Sequence, residues 1–85
     1  MRLESELVED LERTARMFRL GMEADGHDTL VKVVDGLVRF LTDRPETNER
    51  VEVVIGEIVS AQERGDVLRI ADLAEFELLP LVSGQ

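Results

Sequence analysis

TLVKVVDGLVRFLT, Thr29 to Thr42, carries only three charged residues in fourteen and is among the least charged stretches of this 85-residue chain. Leu30, Val31, Val33, Val34, Leu37, Val38 and Leu41 are aliphatic and Phe40 is aromatic. At about 100° per residue they cover roughly half of a helical circumference, leaving Lys32, Asp35 and Arg39 on the remaining arc. An apolar arc that wide touches two neighbours, so the segment is predicted to be the central helix of a small bundle. Gly36 projects among the polar residues, beside Thr29, Val33 and Phe40. There it is not needed for the main core contact, although glycine costs ~1 kcal/mol relative to alanine inside a helix.

Upstream, Leu7, Val8, Leu11, Ala15, Phe18 and Met22 recur at steps of three and four, predicting a first helix over 3–22. Its acids lie early and Arg16 and Arg19 late, matching the helix dipole. The link Glu23–Asp28 (EADGHD) reads as a turn, with Gly26 as helix stop and Asp28 or Thr29 as the next N-cap. Downstream, Asp43-Arg44-Pro45-Glu46-Thr47 breaks the helix, and Thr47 or Asn48 is placed to cap the next one. Val51, Val54, Ile55, Ile58 and Val59 then give a helical period over 48–64, antiparallel to the second helix. Gly65-Asp66 supplies a stop and an N-cap for a fourth helix over 67–79, which Pro80 should end, with the tail fraying after Leu81. The expected fold is all-α: one domain, 1–85, as an antiparallel four-helix bundle or three helices with the last folded across them. The alternative at Gly65-Asp66 is a single bent helix.

The formal net charge is −9, from nineteen acids against ten Lys and Arg. A surface of that sign repels phosphate backbones and anionic membranes, so neither nucleic acid nor membrane is an expected partner. There is no cysteine for a disulfide or thiolate metal site, and a charged N-terminal stretch without a long apolar run predicts a cytoplasmic protein. The lone His27 meets Asp25 and Asp28 but has no second ligand cluster, so no metal is expected. No glycine-rich phosphate loop, nucleophile motif or cofactor fingerprint occurs, and the expected function is non-enzymatic, with no cofactor.

GDVLRIADLAEFELLPL, Gly65 to Leu81, carries Gly-Asp, Ala-Asp-Leu (71–73), Glu-Phe-Glu-Leu (75–78) and Pro-Leu (80–81). This segment resembles the C-terminal part of certain short helical bacterial proteins of unknown function, some of them near flagellar or motility genes. The resemblance implies a bacterial helical protein and attaches no catalytic role to any of these positions.

Protein–protein interaction remains. On the fourth helix, Val67, Ile70, Ala71, Ala74 and Leu78 form a clean face, while Leu68, Leu73, Phe76 and Leu79 project elsewhere. That second apolar set predicts a homodimer through helix 4, unless helix 1 buries it within one chain. A secondary contact line is expected where Val33, Gly36 and Phe40 on helix 2 stand level with Val53, Gly56 and Ser60 on helix 3. The other expectation is an acidic adaptor or export-type chaperone, of flagellar or secretion context, holding an amphipathic helix of another protein.

Overall fold

A computed structural model describes residues 2–42 and 44–83, with side chains from Ser5 onward; Asp43, the first residue of the expected breaker, and the end of the tail lie outside the described residues. The chain is all-α: α1 (Arg2–Arg19), α2 (Glu23–Thr42), a 3-10 turn (Pro45–Thr47), α3 (Asn48–Arg64) and α4 (Val67–Asp72), the last continuing through a π-helical turn (Leu73–Leu78) into α5 (Leu79–Ser83). No strand occurs among the described residues, and no helix is long and apolar enough to cross a membrane.

The first helix stops three residues before the expected end because Gly21, not Gly26, takes the left-handed conformation, at φ 78°. The Gly21 N–H donates to Phe18 C=O (3.1 Å) and Met22 N–H to Met17 C=O (2.9 Å), the paired bonds of a Schellman cap. EADGHD is therefore the first turns of α2 and not a link. Gly26 lies inside that helix because the ring of Phe18 occupies the space a side chain would need. Thr29, expected as an N-cap, is buried in mid-helix, its hydroxyl donating back to the carbonyls of Asp25 and Gly26. At the other turn the expectation holds. Gly65 caps α3 at φ 69°, with Asp66 N–H reaching Ala61 C=O, and the Asp66 carboxylate accepts the Arg69 N–H. Helices α3 and α4 are thus separate. Thr47 does not cap α3 with its side chain; its hydroxyl donates to Arg44 C=O and closes the 3-10 turn.

The hub of the bundle is α1 and not α2. Leu7, Leu11, Thr14, Ala15 and Phe18 are all nearly inaccessible, and α1 packs closely on α2, α4, the π turn and α5. The third helix packs on α4 and the π turn, whereas α2 and α3 are not among the closely packed pairs. The core runs from the α1 stripe through Leu30, Val33, Leu37 and Phe40 of α2 and Val51, Val54, Ile58 and Ala61 of α3 to Ile70, Ala71, Ala74 and Leu78.

Helix 4 does not end at Pro80. The Leu79 N–H reaches back five residues to Ala74 C=O, so the turn before Pro80 is wide. A proline ring inside an ordinary α-helix collides with the carbonyl four residues back, and the wider turn relieves that collision. The additional residue also shifts the following register by about 100°. Val82 consequently joins Leu78 in facing the core while Glu77 stays exposed; in an uninterrupted α-helix Glu77, seven residues after Ile70, would share the face of Ile70.

Candidate protein-interaction surface

Helix α2 carries more apolar surface than it buries. Its core edge is Gly26, Thr29, Leu30, Val33, Leu37 and Phe40, directed at α1, where a β-carbon on Gly36 would stand 3.0 Å from Leu7 Cδ1. The opposite edge follows the helical repeat through His27, Val31, Val34, Val38 and Leu41. Val31, Val34 and Val38 there are 70%, 44% and 64% exposed. Facing them on α3 is the line Glu52, Ile55, Val59 and Gln62, with Ile55 half-buried and Val59 exposed.

Between these lines lies an open seam. One concavity of about 220 Å³ is lined from α2 by Val34, Leu37, Val38 and Leu41 and from α3 by Val51, Glu52 and Ile55. A second, of about 500 Å³, shares Val34 and Val38 with it and extends to Leu30, Val31, His27 and Gln62. The seam's floor is therefore core and its walls are exposed aliphatic side chains. His27 closes one end: its Nδ1 lies 3.3 Å from Gln62 Nε2, and its ring stands edge-on to Phe18, centroids 5.0 Å apart. At the other end the seam runs to Leu41 and Val51.

The interface residues expected from sequence are scattered by the fold. Leu73, Val33 and Phe40 are core, each at most 2% exposed; they are not available to a partner. Gly36 is half-buried against Leu7, while Gly56 looks into open space. The two glycines thus share no surface, and Gly36 does serve the core contact. Ser60 is half-buried and accepts a hydrogen bond from Arg64; Val53 is exposed on the outer side of α3, away from the seam. On the C-terminal run Leu68 and Phe76 are 59% and 62% exposed, and Leu79 is half-buried against the core. Helix 1 does not cover Leu68 or Phe76.

Phe76 is instead topped by the Arg19 guanidinium, 5.6 Å from its ring centroid. Arg19 also bonds Asp72 (2.9 Å) and Glu75. These hydrogen bonds, Glu75 first and Asp72 second, hold the Arg19 pKa above its ordinary value. The end of α1 is thereby tied to the π turn by charge, which breaks up the apolar character of that face. A further groove between α1 and α2, about 390 Å³, is lined mainly by charged side chains of both signs, Glu9, Asp10, Arg13, Lys32, Asp35 and Arg39 among them. Among the described residues no group of three or more His, Asp or Glu is arranged to hold a metal ion.

No protein-family model, curated protein or solved structure matches the chain. Sequence reading missed the seam because it assigned Val31, Val34 and Val38 to the core. The available signal was the width of the α2 apolar arc, which exceeds what one closely packed neighbour covers.

Proposed function

We propose that this chain is a non-enzymatic interaction module, of the adaptor or export-chaperone kind, whose α2–α3 seam takes up the apolar face of an amphipathic helix from another protein. The observation that carries the reading is the row of exposed Val31, Val34 and Val38 along a groove floored by Leu30, Leu37 and Val51. Soluble monomers seldom leave a contiguous aliphatic strip unburied without a use for it. From His27 to Leu41 the strip is about 20 Å long at the helical rise, matching three to four turns of a docked helix. The test is nuclear magnetic resonance of the labelled protein titrated with a leucine-faced helical peptide whose polar face is uncharged. Amide shifts confined to α2 and α3, lost in Val31→Asp/Val38→Asp, are expected; shifts elsewhere, or none, overturn the proposal.

A second reading, self-association through helix 4, is favoured by the exposure of Leu68 and Phe76. A mass of 9.6 kDa by light scattering at high micromolar concentration would refute it.

A further inference from the structure

We infer that the helix received by the α2–α3 seam is basic along the edge that lies against α3; this rests on the helix-docking reading above and adds the chemistry of the partner. The seam has an acidic rim on its α3 side. Glu52 and Asp35 line its concavities directly. The repeat along α3 sets Glu49 and Glu63 on the same outer edge as Glu52, and the repeat along α2 sets Asp28 beside Asp35. On the α3 edge all three charged residues are acids, whereas on the α2 edge Asp28 and Asp35 alternate with Lys32 and Arg39.

Three of the bases nearby are already engaged. Arg39 pairs with Asp35 at 3.2 Å, and Arg64 is engaged by Ser60 and Asp66. Arg69, reaching from α4, pairs with Glu57 on the far side of α3. Among the described residues Asp28, Glu49, Glu52 and Glu63 form no ion pair. Uncompensated acids along the α3 side of the apolar strip favour a helix that carries its leucines down the middle and Lys or Arg on the flank that meets them.

The same rim disfavours a second copy of this chain. In a two-fold arrangement of seam on seam two chains of −9 would be brought together, with no uniformly basic edge on either to meet Glu49, Glu52 and Glu63.

Two helical peptides of about five turns, with one leucine face but flanks of Lys in one and Glu in the other, test the inference by fluorescence anisotropy. The Lys-flanked peptide is expected to bind at least about tenfold tighter at low salt. That preference should collapse in about 0.5 M NaCl and in Glu49→Gln/Glu52→Gln/Glu63→Gln, whose helical circular dichroism stays unchanged. Equal binding of both peptides, abolished by Val34→Asp/Val38→Asp, overturns the acidic-rim inference and leaves helix docking standing. Tighter binding of the Glu-flanked peptide overturns the inference likewise. Binding of neither peptide, or binding indifferent to Val34→Asp/Val38→Asp, overturns both. A dimer in solution that Val34→Asp/Val38→Asp dissociates makes the occupant a second copy and overturns the inference.

Discussion

Gly26 stands against the ring of Phe18 so closely that a β-carbon at position 26 would lie 2.9 Å from Cδ1 and Cε1. This contact lets the start of α2 rest on the end of α1. Phe18 is only 1% exposed, and its ring is held edge-on against His27. Gly26→Ala is therefore expected to destabilise the protein by about 1–2 kcal/mol despite alanine's better helix propensity. Thermal melting checks this: for a chain of this size the midpoint should fall by roughly 5–10 °C. Phe18→Leu should absorb part of the penalty, making the double variant less damaged than the sum of its parts.

The other two helix-interior glycines are expected to behave differently. Gly56 meets nothing within 4 Å, so Gly56→Ala should raise stability by about 0.5–1 kcal/mol through propensity alone. At Gly36 the same gain is offset by Leu7 Cδ1 at 3.0 Å, and Gly36→Ala should lie within about 0.5 kcal/mol of the parent. Three melting curves suffice, and a large stabilisation by Gly36→Ala would contradict the α1–α2 packing described.

Arg19→Met keeps the aliphatic stem but removes the bonds to Asp72 and Glu75 and the charge over Phe76. Because these groups are about a third or more exposed, solvent screening limits the loss to about 1 kcal/mol. The difference from the parent should shrink in 1 M NaCl. The raised pKa of Arg19 means that its stabilising contribution is complete below the ordinary arginine value and is lost only as pH climbs through the folded one. The contribution is therefore flat across the neutral range. A difference that grows with salt would be inconsistent with the pairing.

Phe76→Glu should fold normally, with stability within about 0.5 kcal/mol of the parent, because the side chain is exposed and neighbours Arg19. Leu73→Ala, three residues away and fully buried, should cost about 2–5 kcal/mol. Urea titration of the two variants checks the division of the C-terminal run into an outward and an inward set.

Much of this fold is written in local pattern. The stripe Leu7, Leu11, Ala15, Phe18 gives α1 its buried face, and the end of α3 at the Gly65-Asp66 turn follows from period and capping alone. What was not legible depended on contacts distant in sequence. Gly21 and Gly26 are equally good helix stops by composition, and only the fit of Phe18 against Gly26 decides between them. Half of the α2 circumference is apolar, so period cannot say which part of the arc is core; the match of Gly36 to Leu7 settles it, leaving Val31, Val34 and Val38 outside. The candidate site was thus visible as residues but not as a surface.

The wide turn before Pro80 ties two sequence positions together in a way that neither shows alone. One residue of Leu73–Leu78 is additional to an ordinary helix, and it is what admits the proline ring while turning Val82 inward. Deleting Glu77 would restore ordinary pitch with Leu78 and Val82 still facing the core, but would set Pro80 against a carbonyl four residues back, at ~3 kcal/mol. Deletion combined with Pro80→Ala should recover most of that loss, while Pro80→Ala alone should change little. The length of this helix and the identity of its proline are therefore coupled characters: a lineage can shorten the segment only after, or together with, giving up the proline.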